Sequence, residues 1–242
     1  MGSLPPAVLE PGHVAVRYAR VVTLSGRRKE EALALLSDDE RERYHRRPGR
    51  GQSEFLCAHA LLRRTLSLYS TTEPADWLFV PDGLGKPRIS HPTPEDRLMF
   101  SLSHTRGLVA CAVAQEVAVG IDVESKAPLR AYEAIAQRVL TPQERKDLEA
   151  LPPSKRKGRF LDYWTLKEAH LKARGTGIRS RLDTLDFHLL DGGGAQFRVG
   201  VDSDCIEGGW HHFRLRPTAA HYLAVVFAGT KAPHWEIAAV DV

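Results

Sequence analysis

Apolar and polar positions change period several times along the chain, and the changes divide it into elements. Val14 to Leu24 is rich in β-branched residues and predicts a first strand behind a loose Pro-rich arm, residues 1–12. Glu30 to Leu36 has helical composition. Ser37-Asp38-Asp39-Glu40 then reads as an N-cap with acids in the first turn, opening a second helix that runs into the basic stretch Arg41 to Arg50 and breaks at Pro48-Gly49. From Ser53 to Leu68, the residues Phe55, Leu56, Ala58, Leu62 and Leu66 recur at helical spacing. Asp82-Gly83-Leu84-Gly85-Lys86-Pro87 is turn chemistry. Met99 to Val113 and Val117 to Val123 predict strands joined near Gln115-Glu116. Arg130 to Leu151 predicts helix, with Thr141 as an N-cap, Pro142 at the first helical position and Glu144 at the third. Pro152-Pro153 and the basic run Lys155 to Arg159 separate it from a long helix, Phe160 to Arg174, which Gly175-Thr176-Gly177 ends. Leu185 to Val242 is strand and turn.

Gly107 to Glu124 and Tyr222 to Val242 are alike: each is an apolar strand, a short turn and a second strand finishing on Asp-Val, Asp122-Val123 and Asp241-Val242. The likeness predicts a duplicated chain of two lobes, 1–125 and 126–242, with a ligand cleft at the seam. At 242 residues, 43% hydrophobic and 26% charged, the chain has globular usage and needs no disulfide or metal staple to fold. No run approaches the roughly 18 apolar residues of a membrane span. The segment MGSLPPAVLEPGH lacks the basic start and apolar core of a secretory signal, and Pro6 stands where a myristoylation motif needs Ser or Thr. Cys57, Cys111 and Cys205 are far apart and odd in number, which argues against a disulfide framework and for a reducing cytoplasm. The eleven histidines include no HExxH and no zinc-finger pair.

The net charge of +4, from 34 basic and 30 acidic residues, permits an acidic partner without naming one. Arg41 to Arg50 could hold phosphate or simply face solvent; it lacks the repeated aromatics that stack bases, so a nucleic-acid partner is not expected.

The chemistry concentrates elsewhere. In Val119-Gly120-Ile121-Asp122-Val123-Glu124, strand alternation puts Asp122 and Glu124 on one face, roughly 6–7 Å apart. Such a pair suits a hard cation whose other ligands are water and substrate phosphate; the bland alternative is an edge strand with solvated acids. On the helix from Phe160, the residues Phe160, Leu161, Trp164 and Leu171 form an apolar stripe that includes Glu168, with Lys172 at its edge. Glu168 either pairs with Lys172 one turn on, or faces the cleft and completes a metal site with Asp122 and Glu124, flanked by Lys167 and Lys172. Ser103 and His104 lie at a strand end before Arg106-Gly107 and suit an anion, although a lone histidine there is also a common turn residue. With no GxSxG, no GxxxxGK[ST] and no GxGxxG, any phosphate chemistry is metal-assisted displacement without a P-loop.

Four ordered blocks carry a resemblance: Gly85-Lys86-Pro87; Phe100-Ser101-Leu102-Ser103-His104; Gly120-Ile121-Asp122-Val123-Glu124; and Trp164-Thr165-Leu166-Lys167-Glu168-Ala169 continuing to Lys172 and Gly177. In these the chain resembles the 4'-phosphopantetheinyl transferases of the surfactin-synthetase-activating type, and Leu36 to Arg64 is similar to that family's N-terminal helix pair. The resemblance implies an α+β fold of two similar lobes related by pseudo-two-fold symmetry, with the active site at the seam of a cytoplasmic monomer. It implies transfer of 4'-phosphopantetheine from coenzyme A to a serine of an acyl or peptidyl carrier protein, releasing adenosine 3',5'-bisphosphate. By this likeness Asp122, Glu124 and Glu168 hold Mg²⁺, and Lys167 and Lys172 neutralise the transferred and leaving phosphates. Lys86, Ser103 and His104 would hold coenzyme A, with His104, Arg43 and Arg47 near its 3'-phosphate. Glu168 is the candidate base for the carrier serine. Leu129 to Leu140, with Tyr132, Ile135 and Val139, would be either an apolar docking patch for the carrier or an ordinary core helix. The acidic start Asp38-Asp39-Glu40 and the segment Pro48-Gly49-Arg50-Gly51 depart from the family pattern. The same acids would also serve an Mg²⁺-dependent phosphohydrolase acting on coenzyme A or a nucleotide, with water as nucleophile.

Overall fold

The computed structural model describes residues 7–92, 97–127, 131–176, 181–198, 209–230 and 233–242. Residues 1–6 of the Pro-rich arm, Leu129, Arg130, Gly177 and Cys205 lie outside the described residues.

Local signals place the helices. In α2 (Asp38–His45) the Ser37 hydroxyl accepts the Glu40 N–H at 3.3 Å while the Glu40 carboxylate accepts the Ser37 N–H at 3.0 Å, so two orphan donors of the helix start are satisfied reciprocally. Thr141 and Glu144 repeat the device at the start of α5 (Pro142–Glu149). Because Leu140 is extended and a new cap follows it, the helix expected over Arg130–Leu151 is two helices, α4 (Tyr132–Val139) and α5. The long helix α6 (Pro153–Arg174) starts earlier than its apolar stripe suggests, since Pro153 is accepted in a first helical turn. α1 (Gly26–Ala34) and α3 (Arg50–Ser67) complete the set that frames the site. The arm is less loose than its composition suggests: Leu9 is buried in the core and the Ala7 N–H donates to the Leu68 carbonyl at 2.8 Å.

The strand expected over Met99–Val113 turns back at Arg106-Gly107, where Gly107 has φ +89, giving β4 (Leu98–Thr105) and β5 (Leu108–Gln115). With β1 (His13–Arg20) and β11 (His234–Ala239) they form a sheet in the order β11-β1-β5-β4, parallel only between β1 and β11. A second sheet runs β6 (Val119–Ser125), β10 (His221–Ala228), β9 (Trp210–Thr218), β8 (Gly194–Arg198), β7 (Asp186–Leu189). β2 (Leu78–Pro81) and β3 (Pro87–His91) make a separate hairpin.

Burial parity stacks these parts into four layers. Ala15, Val109, Cys111 and Val113 of the first sheet pack with α3, whereas Val14, Val16, Ala110 and Ala112 meet Ile121, Val123, Leu223 and Val225 of the second sheet. On the far face of the second sheet, Tyr222, Ala224 and Val226 pack with α6. The α+β class is as the sequence implies. β5 and β10 are covered on both faces, so they read as unbroken apolar runs rather than alternating ones.

The two strand pairs that look like hairpins in the sequence are not hairpins. β5 lies in the first sheet and β6 in the second; β10 lies in the second and β11 returns to the first. The sheets therefore do not divide along the 1–125 and 126–242 boundary. Two close approaches build the site. First, β4 and β6 are outer strands of different sheets, and the hydroxyls of Ser101, Ser103 and Thr105 accept the N–H groups of Ile121, Val123 and Ser125 at 3.0, 3.3 and 3.2 Å. Second, Gly120 lets α6 lie on β6: a Cβ there would stand 2.0 Å from the Ala169 carbonyl oxygen and 2.5 Å from the Ala173 nitrogen.

Candidate active site

The strand parity that turns Ile121 and Val123 into the inter-sheet core turns Asp122 and Glu124 toward α6. One Asp122 oxygen accepts the Ser103 hydroxyl at 3.0 Å and the Lys172 ammonium at 2.7 Å, and the same ammonium donates to the Ser103 oxygen at 3.0 Å. The Ser103 oxygen also accepts the Val123 N–H, so it joins β4, β6 and α6 at one point. The other Asp122 oxygen, Oδ2, is buried and has no hydrogen-bond partner. Glu124 accepts the Trp164 indole N–H at 3.2 Å and the Thr105 hydroxyl at 3.4 Å. Burial, and then the charge of Asp122, push Glu124 up to about 7. The same two causes, in the same order, raise Glu168. Three carboxylates thus share one electrostatic neighbourhood, with Lys172 committed to Asp122.

Among the described residues, no three Asp, Glu, His or Cys side chains close into a finished metal cage. The donor set still fits magnesium. That ion keeps several waters and takes one or two carboxylates plus substrate phosphate, and Asp122 Oδ2 is a buried anionic oxygen lacking a partner. Such an atom is costly without a cation or donor.

Basic side chains gather on the N-terminal helices. The Arg47 and Arg43 guanidiniums stand 4.9 and 5.8 Å from the Phe55 ring centroid, and His59 stacks on the same ring at 4.0 Å. Burial, then the charges of Arg47 and Lys172, pull His104 down. The structure thus sets Arg43 and Arg47 against the Phe55 ring, and Arg47 within electrostatic reach of His104. Phe55 and His59 were missed; their spacing of four residues on α3 puts them on one helix face and was the available signal. Glu40, the third acid at the start of α2, has a structural role. Glu40 is buried, accepts Arg63 at 2.5 Å and is 2.8 Å from the His59 ring nitrogen. Burial alone would raise it, but His59 and Arg63 bring it down to about 2.

Lys167 is a correction. It does not flank the acids: its ammonium is fully buried between α6 and α5, 2.5 Å from Glu144, and donates to the Val139 and Leu182 carbonyls at 2.7 and 2.9 Å. Glu144 in turn accepts the N–H groups of Thr141 and Phe187. The pair is a structural hub without a phosphate role. Lys167→Met is expected to cost about 3–5 kcal/mol, because it strands a buried carboxylate. Urea unfolding measures this, and wild-type stability in the variant would refute it. Tyr132, Ile135 and Val139 also pack on the hydrophobic core around α6, which supports the core-helix reading of that segment. Lys86 lines a cavity of about 570 Å³ with Leu84, Phe100, Leu102, Leu171 and Lys172. Its ammonium reaches the carboxyl end of α6, 2.5 Å from the Lys172 carbonyl oxygen.

Paired strand acids, a helix-borne acid and lysine, and a histidine under the charge of Arg47 and Lys172 suit an enzyme that handles phosphate esters. A profile described as the 4'-phosphopantetheinyl transferase superfamily matches residues 118–227, β6 through β10. The 4'-phosphopantetheinyl transferase HetI of Nostoc sp. is 35% identical over 167 residues, 66% of this chain and 68% of HetI. A 4'-phosphopantetheinyl transferase of Bacillus subtilis is 30% identical over 174 residues, 70% and 74% of the two chains, and Sfp of Bacillus subtilis strain 168 is 28% identical over the same shares. A solved holo-(acyl-carrier-protein) synthase of Bacillus anthracis, in complex with CoA (3',5'-ADP), aligns with TM-score 0.41 at 21% identity, over 48% of this chain and 98% of that one. The chain belongs to the 4'-phosphopantetheinyl transferases, enzymes that transfer 4'-phosphopantetheine to carrier proteins. No helix among the described residues is long and apolar enough to cross a membrane.

Proposed function

We propose that the enzyme takes 4'-phosphopantetheine from coenzyme A at this crevice and passes it to a serine of an acyl or peptidyl carrier protein, releasing adenosine 3',5'-bisphosphate. The observation that carries the reading is the buried, partnerless Oδ2 of Asp122 beside Lys172, with His104 close enough to feel the charges of Asp122, Lys172 and Arg47. Asp122, with Glu124 and Glu168, would hold a magnesium ion, which supplies charge neutralisation to the pyrophosphate. His104, Arg43 and Arg47 bind the 3'-phosphate, and charge-assisted contacts of this kind fix the nucleotide end. Lys172 offers its ammonium to the phosphate being transferred. Displacement at phosphorus asks for alignment and neutralised charge more than for covalent help. The proton of the carrier serine goes to Glu168, directly or through one water. Ser103 serves differently from its implied role: it is saturated by Asp122, Lys172 and Val123 and so orients the acid rather than the nucleotide.

Incubation with coenzyme A, Mg²⁺ and apo carriers, read by intact mass, tests the proposal. The carrier gains the mass of phosphopantetheine; release of nucleotide with no gain on any carrier would favour the phosphohydrolase. Glu168→Gln is expected to lower turnover about 10²–10⁴-fold while calorimetry shows coenzyme A binding largely intact. Retained turnover removes the base assignment.

A further inference from the structure

The turn between β2 and β3 is built to aim one side chain. Asp82 Oδ1 accepts the N–H groups of Leu84 and Lys86 at 3.0 and 2.9 Å, its Oδ2 accepts Arg88 Nε at 3.1 Å, and Gly85 takes φ +89 to close the loop. From that turn Lys86 extends to α6, donating to the carbonyls of Lys172 at 2.5 Å and Ala173 at 3.5 Å. These are among the last carbonyls of the helix, which have no intrahelical partner and carry the negative end of its dipole. α6 stops there on Gly175, in the left-handed conformation with φ 73, whose N–H donates to the Leu171 carbonyl at 2.9 Å. A Cβ on Gly175 would stand 3.3 Å from Arg88 Nη2 and 3.7 Å from Lys86 Cδ, so the turn's Lys86 and Arg88 of β3 both crowd the helix end.

Lys172 is consequently held twice. Its carbonyl accepts Lys86, and its ammonium grips Asp122 and Ser103. Sliding or rotating the last turn of α6 would break both attachments together. Glu168 lies one turn back on the same rigid element.

We propose that Lys86 is a positioning residue: it straps the β2–β3 hairpin to the carboxyl end of α6 and so fixes Lys172 and Glu168 against Asp122, rather than holding the phosphates of coenzyme A. The catalytic consequence rests on the function proposed above; the strap itself does not. Burial, then Arg88, lower the amine of Lys86 to about 8, in keeping with an ammonium withdrawn from solvent.

The test has two readouts. Hydrogen exchange of the peptide spanning residues 168–176, measured without coenzyme A or carrier, is expected to quicken about tenfold or more in Lys86→Met, with α3 unchanged and with Lys86→Arg restoring protection. This arm holds whatever reaction the enzyme performs. Kinetics with coenzyme A and apo carrier are expected to show kcat lowered about 10- to 100-fold in Lys86→Met, with KM for coenzyme A within about twofold and recovery in Lys86→Arg. Asp82→Ala, which frees the turn while leaving the amine in place, should move exchange and kcat in the same direction, and it carries the test if Lys86→Met does not fold. Unchanged exchange, or a raised KM for coenzyme A at constant kcat, overturns the proposal and makes Lys86 a phosphate ligand. Quickened exchange in a protein that modifies no carrier upholds the strap and rejects the transferase reading of the site.

Discussion

Asp122→Asn is expected to lower turnover about 10³-fold while leaving a folded protein. The substitution keeps the size of the side chain and changes its charge, so the loss is electrostatic rather than steric. Asp122 is 5% exposed, and its two oxygens have different surroundings: one satisfied by Ser103 and Lys172, the other without a partner. An amide in that place cannot serve an ammonium and a cation as an anion does, and any orientation sets an N–H₂ against Lys172 or into the vacant side. Carrier loading under saturating coenzyme A and Mg²⁺, with a melting curve on the same sample, measures the effect. Turnover near wild type would mean that the strand acid is a structural anchor for Lys172 and nothing more.

Gly120→Ala should damage stability and chemistry at once. The added carbon would sit 2.0 Å from a main-chain oxygen of α6 and 2.5 Å from a main-chain nitrogen, neither of which can swing aside as a flexible side chain could. Relief requires lifting the helix from the strand, and overpacking of this kind costs about 3 kcal/mol, occasionally more. The lifted helix takes Glu168 and Lys172 away from Asp122, and a displacement of about 1 Å lowers turnover about 10²-fold in the molecules that remain folded. Urea unfolding and kcat per folded molecule check the two halves separately. A variant with native stability would show that the helix does not rest on β6 as closely as the geometry states.

Much of this was legible in the sequence where the cause is local. Ser37 with Glu40, and Thr141 with Glu144, announce helix starts because both partners lie within four residues. The alternation around Asp122 fixes which side chains share a face, and the spacing of Glu168 and Lys172 puts them one turn apart. What was not legible depends on distant partners. Lys167 is five residues from Lys172, about 140° around the helix, and α6 is buried on both flanks, so an apolar stripe could not tell the face toward β6 from the face toward Glu144. Glu144 shows in the sequence only as a capping residue; that it also receives a buried lysine follows from how α5 meets α6. The crossing of β6 and β11 between sheets was hidden for the same reason, since a strand pair and a strand crossover have the same local pattern.

The return of β11 to the first sheet bears on synthesis at the ribosome. β1 pairs with it across more than two hundred residues, His13 with His234 through Tyr18 with Ala239. Until that late segment has emerged, the outer margin of β1 presents unpaired peptide groups to the surroundings, the template on which neighbouring nascent chains could stack. Pairing between such remote stretches is slow, so the yield of active enzyme should depend on the speed of translation and on chaperone supply far more than the ordinary size of the chain suggests.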